Sequence, residues 1–147
     1  MVRAAVAAWA GATLLGAPHM AVAQTRQWEA EVEQQLASAG QLFSGHGFEP
    51  THDTYTGTLR SSEYEYLTVT LHAGTRYALV GMCDNDCREL DLELYDADGR
   101  EVDADREPDD APTVVARPDV TQQYRLKVIM STCSASPCYY GIGVYSR

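Results

Sequence analysis

Between residues 90 and 94 the chain reads Leu90-Asp91-Leu92-Glu93-Leu94, a strict alternation that suits a β-strand with one buried face and one solvated face. Tyr95-Asp96-Ala97-Asp98-Gly99 follows, ending in the Asp-Gly pair that turns a hairpin. Short β-forming runs separated by turn residues continue over the rest of the chain: Tyr55 to Leu59, Tyr64 to Leu71, Tyr77 to Cys83, Leu90 to Tyr95, Arg100 to Asp103, Thr113 to Arg117, Tyr124 to Met130 and Tyr139 to Tyr145. About eight antiparallel strands of this length predict an all-β, jelly-roll-like sandwich over residues 55–147.

The residues before the strands divide into two parts. Arg3, the apolar or small stretch Ala4 to Gly16, and Ala21-Val22-Ala23 have the order of a signal peptide, so residues 1–23 are expected to be removed by cleavage before Gln24. The stretch is too short and Ala-rich for a transmembrane helix, which needs about 20 strongly apolar residues. No Cys follows the cleavage motif, which disfavours a lipid anchor. A periplasmic or secreted product is expected, with no membrane insertion. Residues 24–54 are read as an amphipathic helix and a loop. Trp28, Val32, Leu36, Ala39 and Leu42 or Phe43 recur at helical spacing, opposite Glu29, Glu31, Glu33, Gln34 and Gln35. The acidic first turns suit a helix N-terminus, Gly40 predicts fraying, and Gly45 to Pro50 reads as a loop. Such a helix covers one edge or end of the domain, or else binds a partner in the manner of a propeptide.

Charge narrows the partners. The sequence has 11 Lys and Arg against 21 Asp and Glu; losing Arg3 with the signal peptide leaves 10 against 21, or −11. A field of that sign repels nucleic acids and anionic lipid surfaces and leaves cations and basic partners, unless the charge provides only solubility. Cys83, Cys87, Cys133 and Cys138 form an even set in an exported chain and so predict two disulfides. Four cysteines allow three connectivities, and the short spacers favour the local pairs Cys83–Cys87 and Cys133–Cys138. Such loops constrain the unfolded chain by only about 2 kcal/mol each, so they shape loops more than they hold the domain together. The spacers and the export signal argue against a four-Cys zinc site, and neither spacing is the C-x-x-C of a redox pair.

Several of these runs, in this order, resemble the bacterial pre-peptidase C-terminal domain family. The resemblance covers about Gly57 to Val144. It rests on Gly57-Thr58-Leu59, the strand, Ala-Gly turn and strand of Tyr66 to Tyr77, the Asp-Leu-x-Leu-Tyr-Asp-x-x-Gly stretch of Asp91 to Gly99, Tyr124 to Val128, and Tyr140-Gly141-Ile142-Gly143-Val144. Gln123 stands where that family usually has Gly, and Ser62-Glu63-Tyr64 replaces its common aspartate pair. The resemblance implies a non-catalytic β-sandwich appendage of secreted proteins, some related modules of which bind calcium or extracellular matrix.

Candidate chemistry is sparse. There is no Gly-x-Ser-x-Gly elbow, His-Glu-x-x-His motif, phosphate loop or free cysteine nucleophile, so no enzyme activity is expected. His46, His52 with Asp53, and His72 are scattered and make a poor transition-metal set. Calcium is the better metal candidate, with Asp84 and Asp86 clamped in a disulfide loop and Asp91 beyond it; ordinary solvated carboxylates are the alternative. Tyr139 and Tyr140 are singled out among nine tyrosines because adjacent strand residues point to opposite faces, leaving one outward beside the second disulfide loop. The functional expectation is a binding or accessory module that contacts a protein, glycan or cation of the envelope or exterior through loops near the disulfides. The alternative is a structural envelope protein with no discrete ligand site.

Overall fold

The computed structural model describes residues 19–147, with side chains from Arg26 onward. Most of the expected signal peptide lies outside the described residues, and the cleavage motif is seen only as helical backbone. Helix α1 (His19–Ser44) is followed by strands β1 (Glu49–Pro50), β2 (Tyr55–Leu59), β3 (Glu63–Leu71), β4 (Tyr77–Cys83), β5 (Cys87–Tyr95), β6 (Glu101–Asp105), β7 (Thr113–Ala116), β8 (Gln122–Cys133) and β9 (Cys138–Ser146). They build two antiparallel sheets. In one, β1 and β2 both pair with β9, which pairs with β4 and then β7; the other runs β3-β8-β5-β6. Apart from β1 to β2 and the β5–β6 hairpin, each consecutive pair of strands changes sheet, which makes the architecture a sandwich.

Alternation decides what lies between the sheets. Leu90, Leu92 and Leu94 point inward, as do Leu126, Val128 and Met130 of β8, and they meet Leu79, Tyr140, Ile142 and Val144 of the facing sheet in one core. The expected Asp98-Gly99 turn is present: Gly99 has φ 80°, and the Asp96 carboxylate accepts the amides of Asp98 and Arg100.

The helix differs from its sequence reading in three ways. It lies across the outer face of the five-stranded sheet, not at an edge or end. Val32, Leu36 and Ala39 are buried there, Phe43 stacks on Tyr145 at 5.1 Å, and Leu42 points to solvent at 66% exposure. A Cβ at Gly141 would stand 2.7 Å from both Val32 and Leu36, so the missing side chain is the seat of the helix. Second, Gly40 lies within the helix, and it does not end it. The Tyr145 ring approaches within 3.5 Å of where its Cβ would be, and the Tyr145 hydroxyl donates to the Leu36 carbonyl. Third, α1 begins before the glutamates, so its first turn has no acidic residue. The segment read as a loop also contains a strand: Glu49 and Pro50 pair with Ser146 and Tyr145.

Carboxylates tie the two sheets together at their edges. Thr113 and Val115 of edge strand β7 turn their N–H groups away from β4, and Asp105 and Asp103 of β6 accept them at 2.8 and 2.7 Å. By its charge density alone the acidic stretch 103–110 reads as a mobile loop, and these contacts give it a fixed course; Asp109 also accepts from Ala111 and, through its carbonyl, from Leu90. On the opposite side, Glu65 of β3 accepts from the buried Tyr140 hydroxyl and, at 3.1 Å, from that of Tyr55.

Candidate binding surfaces

The expected local disulfides Cys83–Cys87 and Cys133–Cys138 are present, and all four sulfur-bearing residues are buried. They close the β4–β5 and β8–β9 connections, and Cys87 is the register partner of Cys133, so the two sequence-nominated loops form one end of the molecule. Asp84 organises that end. Its carboxylate accepts the amides of Asp86 and Cys87 at 3.2 Å and of Tyr139 at 2.8 Å, while its own amide donates to the Tyr139 carbonyl. Burial pushes the Asp84 carboxyl above the usual range, against the pull of those three N–H groups. The Asp86 carbonyl receives both the amide and hydroxyl of Ser134.

This geometry redistributes the nominated residues. Asp84 is 1% exposed with its oxygens engaged, Asp86 is half-exposed, and Asp91 lies apart on β5, opposite Ile129. Asp91 takes a short hydrogen bond from Ser131, leaves Oδ1 buried without a partner, and has its carboxyl pushed up by burial. Among the described residues no three His, Cys, Asp or Glu side chains are grouped to hold a metal ion, the histidines included. Tyr140 is fully buried, so the outward member of the tyrosine pair is Tyr139, which is half-exposed.

A surface that sequence reasoning did not single out lies on the outer face of the four-stranded sheet. Tyr64 and Tyr66 stand there at 57% and 47% exposure, their rings T-shaped with centroids 5.8 Å apart. Lys127 lies 4.9 Å from the Tyr64 centroid and Arg125 lies 5.2 Å from that of Tyr66. Behind them Glu93, itself buried, accepts from Tyr95 at 2.6 Å, Arg106 at 2.9 Å and Lys127 at 3.1 Å, and Arg106 reaches on to Glu101. Burial opposes ionisation of Glu93, but these donors together hold its carboxyl below the ordinary value, while the hydrogen bond to Glu93 pushes Tyr95 up to about 12. The signal was present in the sequence: Tyr64, Tyr66, Thr68 and Thr70 alternate with Leu67, Val69 and Leu71, so both tyrosines share the polar face of β3.

Among the described residues no helix is long and apolar enough to cross a membrane. No protein-family model matches the chain, and no curated protein matches it. Among solved structures it is similar to Aeromonas hydrophila PliG, a periplasmic lysozyme inhibitor of g-type lysozyme, at 8% sequence identity and a TM-score of 0.49 over 65% of this chain and 85% of that one. A likeness of that degree decides nothing about what this chain binds.

Proposed function

We propose that the protein is an exported, non-catalytic binding module that docks its partner on the outer face of the four-stranded sheet, where that face meets the disulfide end. The observation that carries this reading is the unequal treatment of the two sheets. One outer face is covered by α1, seated over Gly141; the other is left bare by the described residues and bears two exposed tyrosines with a cation against each ring. Tyrosine and arginine on a rigid sheet are the residues that dominate binding energy at protein interfaces. Tyr64 pairs with Ile129, two residues from Ser131, whose carbonyl accepts from Ser61 in the loops around the disulfides, so the face and the nominated loops adjoin. The resemblance to pre-peptidase C-terminal modules accords with a non-catalytic role. Calcium at the disulfide end is the weaker reading, because the Asp84 oxygens already serve three backbone amides.

The test uses the oxidised mature chain as bait in an envelope extract, beside Tyr64→Ser/Tyr66→Ser and Tyr139→Ser. The expected result is a saturable partner held by the parent and the Tyr139 variant and lost by the double variant. Loss only in the Tyr139 variant moves the contact to the disulfide end, and capture of nothing by any bait sinks the binding reading in favour of a structural envelope role.

A further inference from the structure

We infer that the occupant of this face is a cationic protein surface, an inference that rests on the docking role proposed above. The arrangement of the rings separates a protein from a glycan. Sugars stack on open aromatic faces, yet each ring has a cation against it and the T-shaped contact sets the edge of one ring against the other. Less open ring face is left for stacking, and the surface adds phenolic hydroxyls and the stems of a Lys and an Arg, the amphipathic contact area that protein interfaces use.

Charge then selects the partner's sign. Lys127 and Arg106 are both ion-paired with Glu93, and Arg106 also with Glu101, so the centre of the face is close to balanced. The mature chain as a whole supplies a field of −11, from 10 basic against 21 acidic residues. That field repels polyanions and also a second copy of this chain, and it draws in a basic protein, which then meets a locally neutral aromatic surface. Attraction at a distance and adhesion at contact come from different residues, so they can be separated experimentally.

Random peptides displayed on phage are selected on the immobilised, oxidised mature protein and then measured against Tyr64→Ser/Tyr66→Ser, whose fold is checked by circular dichroism. Selected sequences are expected to be enriched in Lys and Arg, to associate more slowly as salt rises, and to bind the double variant at least about tenfold more weakly. Neutral or acidic sequences that are lost in the variant overturn the cationic inference and leave the docking face standing. Basic sequences that bind both forms equally reflect bulk charge alone and overturn both readings, as does a failure to enrich any sequence. Cell-wall glycan fragments bound by the parent and lost in the variant overturn the choice of a protein.

Discussion

The amides of Thr113 and Val115 lie on the open edge of a sheet, a position that ordinarily invites pairing with another chain, and Asp105 and Asp103 cap them from the opposite sheet. Replacing both aspartates by Ala removes two charge-assisted hydrogen bonds. Such bonds contribute about 1.5–3 kcal/mol when well buried. Both carboxylates are half-exposed, so water competes and about 1 kcal/mol each is the better figure. The double Ala variant is therefore expected to lose about 2 kcal/mol, or about 6–10 °C in Tm for a domain of this size. Urea unfolding followed by circular dichroism with the disulfides intact should show a lower midpoint at unchanged slope. The Asp103→Asn/Asp105→Asn pair keeps an acceptor at each site and should lose less than half as much. Light scattering should find self-association in the Ala variant alone, since Val115 beside the uncapped amides is 43% exposed. A loss below about 0.5 kcal/mol, or an Asn pair as unstable as the Ala pair, refutes the capping argument.

Other outcomes follow from the same geometry. Gly141→Val places atoms 2.7 Å or closer to Val32 and Leu36, an overpacking that costs about 1–3 kcal/mol, so limited proteolysis should cut within 26–44 while the strands stay protected; a helix as resistant as the parent's shows that Gly141 is not its seat. Glu93 has its folded pKa depressed below 4.5, so its stabilisation is present above the unfolded value and is lost as pH falls through the folded one. Glu93→Gln should accordingly be less stable than the parent at neutral pH, with the gap closing as pH falls below 4.5; a gap that widens on acidification contradicts the assignment.

What was legible in the residues is what local chemistry determines. The inward Leu90, Leu92 and Leu94, the turn at Gly99 and both disulfides follow from side-chain alternation, backbone freedom and spacer length, none of which needs a distant partner. The errors are all long-range. Gly40 looks like a point of fraying until Tyr145, more than a hundred positions on, fills the space above it, and Pro50 looks like a loop until β9 lies alongside. The acidic stretch looks mobile because the amides that its carboxylates accept are on β7. Of the calcium candidates, Asp84 has its oxygens engaged by the backbone and Asp91 stands apart on β5, and Tyr64 and Tyr66 do not stand out in the sequence because a bare sheet face is defined by what does not cover it.

Both disulfides close connections that pass from one sheet to the other, and both lie at the same end of the sandwich. Backbone crossings join the two sheets at both ends, through the β3–β4 and β7–β8 turns at one and the β4–β5 and β8–β9 connections at the other, but only the second end is stapled as well. Fraying should therefore start at the unstapled turns and stop at the stapled end. Amide exchange would then be slow for Cys87 and Cys133 and progressively faster toward Gly74 and Thr121, a gradient along the strand axis instead of between the two sheets.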